Sequence, residues 1–242
     1  ALGSPTPVME QYLFDILTDM VLTAKMNLPL ERPLHLFGAG HPFMFALAIT
    51  LGCDLFDSAA YSLFAKDDRY LTNHGTIHLA KLKYFPCSCP VCCKYEPQDL
   101  LELPKLERER ELCLHNLYVC FSEIRRIKQA IVEGRLWEYL ELQALSHPSL
   151  LQALKHLNKY AEYIERYSPV MKKNGLFFFH STGLARPEVF RYRKRLLERY
   201  SPPFNAKVIF LVPDPGGHQV RKSRFFKKAL AYTLEKLELS EA

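Results

Sequence analysis

The sequence lacks the features of membrane and secreted proteins. No apolar run approaches the roughly 18 uninterrupted residues that a membrane-spanning helix needs, and the first residues lack the basic-then-apolar layout of a signal peptide. It also has no internal repeat and no low-complexity segment. Its 242 residues, 48% of them hydrophobic, are enough to bury the core of one large domain or two small ones. We therefore expect a soluble globular protein of the cytoplasm that does not contact a membrane.

The net charge of +6 is moderate, but the basic residues are unevenly placed. They form two clusters: Arg186, Arg191, Arg193, Lys194, Arg195 and Arg199, then Arg221, Lys222, Arg224, Lys227 and Lys228. Such clusters suit a polyanion such as nucleic acid. They are equally typical of the solvated faces of helices, so charge alone does not separate the two interpretations.

The cysteines do not follow the pattern of a secreted disulfide framework. Seven is an odd number, and four of them fall within residues 87–93. Cys87, Cys89 and Cys92 lie on a loop that contains Pro86 and Pro90, which disfavour helix formation there. Thiols at this density in an intracellular protein indicate a metal site.

A fourth metal ligand must come from elsewhere in the chain. His115 lies in a predicted helix that can pack over the cysteine loop. Three thiolates and one imidazole fill a tetrahedral zinc shell and leave no position for water, so Cys87, Cys89, Cys92 and His115 predict one structural Zn²⁺. Cys93 is an alternative to Cys92, although the two-residue gap after Cys89 is the commoner geometry. The other residues of these types nearby are predicted to be packing or surface residues: Cys113, Cys120, His74 and His78.

Short strands and helices alternate in the first part of the chain. Apolar residues at three- and four-residue spacing predict a helix over residues 7–27. An apolar run at 33–37 and another at 53–57 are predicted strands, and an apolar helix is predicted between them over 42–51. Gly52 ends that helix. This alternation favours a parallel sheet or barrel.

Further elements are predicted beyond residue 70. They are a turn at 72–75, the cysteine-rich loop at 85–95, helices over 106–132, 148–167, 187–200 and 223–237, and strands at 176–179 and 207–212. The first two of these helices form a helical layer. Ser201, Pro202 and Pro203 mark the clearest linker, after which a small α/β unit is expected.

Four segments resemble one family closely. They are RPLHLFGAGHP (32–42), DLFDS (54–58), AKDDRY (65–70) and YFPCSCPVC (84–92). Together they resemble the archaeal tRNA-guanine transglycosylases, which exchange guanine for the archaeosine precursor preQ0 at position 15 of tRNA. The resemblance is dense over 13–133 and weaker to about residue 199. It implies a tRNA partner and preQ0 or guanine as the base.

The resemblance also implies a fold. The family has a (β/α)8 TIM-type barrel with a zinc-binding insert near its last strand, and catalytic groups at the carboxyl ends of the strands. We expect an α/β chain carrying the last barrel strands in residues 1–135, with the insert at about 84–116. A helical and linker region follows at 136–200, and a small C-terminal α/β unit at 201–242.

Asp57 ends the second predicted strand, and by the family motif it is the catalytic nucleophile. A carboxylate can hold C1′ of the ribose covalently while bases exchange, as in a retaining glycosidase. Asp54 has the opposite strand parity and is predicted to be structural. The substrate-binding residues implied by the resemblance are Phe37, which stacks on the base, Gly38 and Gly40, Lys66 and Arg69 near tRNA phosphates, and the pocket-loop residues Gly3 and Ser4.

Parts of the family pattern are missing. Only two complete strand-helix units are predicted, with a stub at residues 1–3, and the family's Asp-Ser-Gly-Ser-Phe-Gln motif with its second catalytic aspartate is absent. We therefore expect a second polypeptide carrying the N-terminal half of the barrel, or a chain that is a fragment. The alternative function is a non-catalytic tRNA-binding or scaffolding subunit of a transglycosylase or archaeosine synthase complex. The tail is weakly similar to archaeosine synthase, but Asp214 stands where that enzyme has a cysteine.

Overall fold

The computed structural model describes residues 1–3, 5–174 and 177–205, together with Lys227, Lys228, Ala231, Tyr232 and Glu235. Residues 1–194 form one compact unit and residues 195–242 a second. No helix among the described residues is long and apolar enough to cross a membrane.

The described helices are α1 (Thr6–Glu10), α2 (Phe14–Asn27), α3 (Phe45–Thr50), α4 (Ala60–Lys66), α5 (Pro90–Lys94), α6 (Pro97–Glu102), α7 (Lys105–Val132), α8 (Leu136–Ala144), α9 (Pro148–His156), α10 (Ala161–Arg166) and α11 (Pro187–Arg199). The strands are β1 (His35–Leu36), β2 (Leu55–Phe56), β3 (Arg69–Thr72) and β4 (Gly75–His78). Short 3₁₀ turns occupy Pro42–Met44, Leu79–Lys81, Leu157–Tyr160 and Ser181–Ala185.

A small parallel sheet joins three segments of the first unit. Strand β1 pairs with β2 in parallel, with His35 opposite Leu55. On the other side of β1, Leu2 forms a parallel bridge with Leu36, and its N–H donates to the His35 carbonyl at 2.7 Å. The predicted alternation and the stub at residues 1–3 are thus confirmed. The mixture of helices and few strands is that of an α/β fragment.

The first predicted helix is interrupted. Instead of one helix over 7–27, α1 ends before Tyr12, whose φ of 58° is left-handed. The N–H of Tyr12 donates to Met9 and that of Leu13 to Val8, which is the Schellman pattern that closes a helix. The Tyr12 ring stacks on His147 at 5.0 Å, so a tertiary contact accompanies the break. The apolar spacing continues through the break and conceals it.

The main core lies between the parallel sheet and the helices. Phe14, Leu17 and Val21 of α2 are buried together with Leu36 of β1 and nearly all of α3. Gly52, with φ of 100°, ends α3 as predicted. Ile127 of α7 and three residues of α9 belong to the same core, so the predicted helical layer packs directly on the strand-helix units. Helix α8, which the sequence pattern did not predict, joins it through Leu140 and Ala144.

A second, smaller core forms around the cysteine segment, where Pro90 begins the short helix α5 and the predicted loop therefore ends earlier than expected. Strands β3 and β4 form an antiparallel hairpin whose turn spans Thr72 to Gly75, as predicted. Tyr70, Leu79, Leu100 and Leu112 are buried between this hairpin, α6 and α7. Helix α7 matches the predicted helix over 106–132, and Gly134, with φ of 70°, follows it.

The elements predicted over residues 148–237 are confirmed only in part. The helix predicted over 148–167 is divided into α9, a 3₁₀ turn and α10, while α11 matches the prediction over 187–200. Residues 177–179 are not a strand, and Leu176 lies outside the described residues. The strand predicted at 207–212 lies outside them too, as does most of the helix predicted over 223–237, of which five residues are described as helical.

Part of the first basic cluster is structural. Arg186 is buried and pairs with the buried Glu138 and Glu141 of α8. Arg191 is buried and donates to Glu165 at 2.5 Å and to the Pro169 carbonyl at 2.7 Å. These two arginines therefore hold the 169–191 segment in place and are not available to a polyanion. The remaining basic residues of that cluster are half-buried or exposed, namely Arg193, Lys194, Arg195 and Arg199.

Candidate active site and metal centre

Asp57 lies at the carboxyl edge of the parallel sheet. It follows β2 directly, and 47% of its side chain is exposed to solvent. Because parallel strands end at one edge, the residues after the Leu2 stub, β1 and β2 come together there. Gly3, Phe37 and Asp57 thus share the edge where α/β enzymes place reacting groups.

The Asp57 carboxylate is held by two donors. Its Oδ1 atom lies 2.8 Å from Nε2 of His35 and accepts the Gly38 N–H at 3.0 Å. Both donors belong to β1 and the loop after it. The sequence pattern did not mark this histidine as a site residue, although strand alternation places it on the same face as Phe37.

Asp54 faces a different set of groups, as its strand parity predicts. Its Oδ2 accepts the Leu34 N–H at 2.8 Å and lies 4.0 Å from the Lys25 ammonium. Asp54 therefore fixes the start of β1 and does not join the Asp57 site.

Two glycines shape the loop beside Asp57. Gly38 has φ of 76°, which side chains rarely adopt, and a Cβ atom there would overlap Thr6. A Cβ atom on Gly40 would overlap the side chain of Ser58, the residue after Asp57. The Ser58 hydroxyl accepts the N–H of Ala60, the first residue of α4, at 2.9 Å. Both glycines therefore serve the close approach of this loop to the Asp57 turn.

The other predicted pocket residues differ in their surroundings. Phe37 is 53% exposed, and its ring lies 6.0 Å from that of His35 in an edge-on arrangement. About half of the Phe37 residue is therefore open to solvent. Gly3 is exposed with open space around it. Ser4 lies outside the described residues.

Lys66 and Arg69 lie at the far end of α4 from Asp57. Arg69 donates to Asp67 at 2.8 Å and to the Thr76 hydroxyl at 3.0 Å, so its guanidinium is already engaged within the hairpin. Lys66 is exposed and has no ion pair within the described part of the chain. The structure does not bring either residue into contact with Asp57.

Cys87, Cys89, Cys92 and His115 converge as predicted. Their ligand atoms all lie within 4.8 Å of one another. The Cys89 and Cys92 sulfurs are 3.6 Å apart, and each lies 3.4 Å from Nδ1 of His115. These spacings are close to the edges of a zinc tetrahedron, about 3.5 to 3.8 Å for bonds of about 2.3 Å to sulfur and 2.0 Å to nitrogen. Within the described residues, this is the group of four donors that fits a metal ion.

The surroundings of His115 fix its orientation. Its Nε2 donates to the Leu71 carbonyl at 3.0 Å, which leaves the Nδ1 lone pair directed at the sulfurs. Tyr70 stacks on the imidazole at 3.8 Å, and Phe85 stacks on the other face of Tyr70 at 5.2 Å. The Tyr70 hydroxyl lies 3.4 Å from the Cys92 sulfur. Contacts to both ring nitrogens and to one face restrain the His115 imidazole. Such restraint fits a metal site of fixed geometry.

Burial suits these donors to a cation. It raises the pKa of the Cys87 and Cys92 thiols and lowers the pKa of His115 to about 4. Buried thiolates are costly without a counter-charge, and a divalent cation supplies one. The imidazole is already in the neutral form that binds metal.

The neighbouring cysteines and histidines stay outside the metal centre. Cys93 is exposed and lies outside the group of converging donors, in which Cys92 is the third thiol. Cys113 packs against the smaller core, and burial raises the pKa of Cys120 to about 11. His74 is exposed and His78 half-buried, as expected for ordinary turn and surface residues.

Asn116 links the metal centre to the Asp57 segment. It is fully buried on α7, next to His115. Its Oδ1 accepts the Leu71 N–H at 2.9 Å, and its Nδ2 donates to the Tyr61 carbonyl at 3.0 Å and the Arg69 carbonyl at 3.3 Å. One side chain therefore joins α7 to β3 and to α4, the helix that begins after Asp57. Nothing in the sequence pattern marks this residue.

Comparison with known proteins supports the family resemblance. A family model described as queuine tRNA-ribosyltransferase matches residues 1–149. The chain is 54% identical over 218 residues to the tRNA-guanine(15) transglycosylase of Methanocaldococcus jannaschii, covering 88% of this chain and 33% of the relative. It is 51% identical over 198 residues to that of Methanococcus vannielii, covering 81% and 30%. It is 52% identical over 194 residues to that of Pyrococcus furiosus, covering 80% and 33%. The chain thus spans about a third of the length of these curated relatives.

Proposed function

Since the chain belongs to the queuine tRNA-ribosyltransferase family, we propose that it carries the nucleophile and metal-binding part of a tRNA-guanine transglycosylase. The observation that carries this proposal is the Asp57 carboxylate. It is accessible, it follows a parallel strand at the sheet's carboxyl edge, and His35 and Gly38 orient it. The similar relatives are named for exchange at position 15 of tRNA, and we propose the same site here.

The reaction proposed for Asp57 is a double displacement. A carboxylate oxygen donates its electron pair to C1′ of the target ribose as the C1′–N9 bond to guanine breaks and guanine leaves with that bonding pair. The result is a glycosyl ester with the tRNA backbone uncut. N9 of the incoming base, preQ0 by family resemblance, then attacks C1′, and the ester bond breaks with its electron pair returning to the carboxylate. N9 gives up its proton in this step, which balances the proton that the departed guanine takes up.

We propose that Phe37 and the loop after β1 bind the base. Phe37 offers an accessible ring beside Asp57, and aromatic faces suit a base extruded from its stack. The backbone can approach the base closely at three glycines, Gly3, Gly38 and Gly40. Lys66 has no ion pair among the described residues and can bind a tRNA phosphate, whereas Arg69 must first release Asp67.

The metal proposed at Cys87, Cys89, Cys92 and His115 is one structural Zn²⁺. Four protein donors complete a tetrahedral shell, so no position is open to water or substrate. When bound, the ion supplies folding energy to the smaller core and takes no part in base exchange.

We also propose that further barrel strands complete the site. Within the described residues β2 pairs only with β1, and Leu55 on it is 53% exposed. An open parallel edge of this kind requires a partner strand. The remaining barrel strands, from a second polypeptide or from the same polypeptide, fit that edge. The accessible Asp57 favours this catalytic hypothesis over a purely scaffolding subunit.

Exchange of radiolabelled guanine into tRNA tests the function. The native protein is purified with any associated polypeptide, and Asp57→Asn is compared with Asp54→Asn. We expect Asp57→Asn to abolish exchange, by a factor of about 10⁴ or more, while Asp54→Asn retains it. Exchange that survives Asp57→Asn would remove the nucleophile and favour the scaffolding function.

A further inference from the structure

The two oxygens of the Asp57 carboxylate are not equivalent. Oδ1 holds both hydrogen bonds, 2.8 Å to His35 Nε2 and 3.0 Å to the Gly38 N–H. Oδ2 has no hydrogen-bond partner among the residues that the structure describes. An ionised carboxylate only accepts hydrogen bonds, so Nε2 of His35 carries the proton that it donates.

His35 is held in place by the sheet itself. It lies on β1 opposite Leu55, in parallel register with β2, the strand that Asp57 directly follows. Its carbonyl accepts the Leu2 N–H at 2.7 Å, which ties its backbone to the neighbouring parallel segment as well. The imidazole ring lies 6.0 Å from the Phe37 ring, and its Nε2 lies 2.8 Å from Oδ1 of Asp57. A donor fixed by two strands restrains the carboxylate more firmly than one on a mobile loop.

We propose that His35 is a positioning residue that anchors Oδ1 and so makes Oδ2 the attacking oxygen. This inference rests on the proposed role of Asp57 as nucleophile. In the glycosyl ester Oδ2 is bonded to C1′ and Oδ1 becomes the carbonyl oxygen, still facing His35 and Gly38.

The His35 N–H acts in both steps of the reaction, the attack of Asp57 on C1′ and the discharge of the glycosyl ester. During attack it removes rotational freedom of the carboxylate, so that Oδ2 meets C1′ in one orientation. During discharge the Oδ2–C1′ bond breaks, its electron pair returns to the carboxylate, and the returning charge spreads onto Oδ1. The His35 N–H stabilises that charge and makes Asp57 a better leaving group. His35 therefore affects turnover rather than tRNA affinity.

Substitutions at His35 separate positioning from mere packing. His35→Phe keeps a ring but has no donor, and His35→Gln restores an N–H near the position of Nε2. In the native protein we expect His35→Phe to lower kcat for guanine exchange about 10- to 100-fold with KM for tRNA within about twofold, because the Gly38 donor remains. His35→Gln should recover at least part of the loss. His74→Phe, at an exposed turn, is the matched control and should retain exchange.

Single-turnover measurements add a readout that packing would not change. The acid-stable protein–tRNA adduct is followed as it forms and as added guanine discharges it, and His35→Phe should slow the discharge. The inference is overturned if His35→Phe exchanges at the wild-type rate, if KM rises in place of the fall in kcat, or if His35→Gln recovers nothing. Asp57→Ala is run in parallel. An adduct that persists in Asp57→Ala refutes the proposed nucleophile, whereas its loss together with a fully active His35→Phe refutes only the role of His35.

Discussion

His115 donates a hydrogen bond from Nε2 to the carbonyl oxygen of Leu71, 3.0 Å away, while its Nδ1 faces the cysteine sulfurs. The histidine of the metal centre is thus also a tether for β3. Asn116, the next residue, accepts the Leu71 N–H. Leu71 is therefore held through both of its backbone groups by consecutive residues of α7. A displacement of the metal centre is therefore expected to be transmitted to β3 through His115 and Asn116.

Loss of a metal ligand should destabilise the smaller core. Cys92→Ser removes a thiolate from the four-donor cluster, whereas Cys93→Ser changes an exposed thiol. We expect Cys92→Ser to lose stoichiometric zinc and about 3 kcal/mol or more of unfolding free energy. Cys93→Ser should bind one zinc per chain and unfold like the wild type. Metal content by atomic emission and denaturant unfolding check both. A Cys92→Ser protein with full zinc content would instead make Cys93 a ligand.

Removing the Asn116 amide should loosen α4 and β3 together. Asn116→Ala leaves the buried Leu71 N–H and the carbonyls of the half-buried Tyr61 and Arg69 without that partner. Each such group costs about 1 kcal/mol or more, so the loss should reach about 3 kcal/mol. Gln129→Ala on the exposed face of the same helix should cost less than about 0.5 kcal/mol. Urea unfolding of the two variants makes the comparison, and equal losses would show that Asn116 is not a link.

Gly40 tests how closely the loop after β1 must approach the Asp57 turn. In Gly40→Ala the added methyl overlaps Ser58, so the turn that carries Asp57 must shift. We expect exchange to fall about 100-fold, since small displacements of reacting groups are that costly. The double variant Gly40→Ala with Ser58→Gly removes most of the overlap and should recover part of the rate. Full exchange in the single variant would mean that the turn tolerates the shift.

The half-buried His41, whose Nδ1 atom is out of contact with solvent, should make folding stability depend on pH. Desolvation, and secondarily the nearby His147, lower the pKa of His41 to about 4, and its Nδ1 has no hydrogen-bond partner among the described residues. The folded protein favours the neutral ring, so this contribution is complete above an ordinary histidine pKa of about 6.5 and is lost as the pH falls toward 4. The wild type should lose about 3 kcal/mol of unfolding free energy over that range from this group alone.

His41→Phe removes this contribution. The ring position between Phe43, at 4.3 Å, and Phe64, at 5.9 Å, is apolar, so the variant should be about as stable as the wild type at pH 7. At pH 5 it should be the more stable protein. Denaturant unfolding at both values measures the difference. Parallel pH dependences of the two proteins would show that His41 is protonated without cost.

The sequence allowed the local features to be predicted. Three cysteines within six residues and a histidine on a helix are a short-range pattern, and the structure brings them together as expected. The alternation of apolar runs with Gly52 also predicted the parallel segments, and the turn at 72–75 was predicted without the two strands that it joins. In these places local chemistry and the fold agree.

The features that the sequence did not reveal depend on partners far away in the chain. Helix α8 was missed because Glu138 and Glu141 interrupt its apolar pattern, yet both are buried against Arg186, some 45 residues along the chain. Asn116 and His35 are polar residues whose partners are likewise distant in sequence. Propensity and spacing report nothing about such partners.

The covalent adduct between Asp57 and tRNA tests the central proposal most directly. The native protein is incubated with tRNA in the absence of the incoming base, and the reaction is quenched in acid. The protein is then digested, and the peptide that carries a nucleotide is sequenced by mass spectrometry. We predict a single linkage through the Asp57 side chain, absent in Asp57→Asn and present in Asp54→Asn. A linkage on another residue, or full base exchange with no linkage at Asp57, would contradict the account.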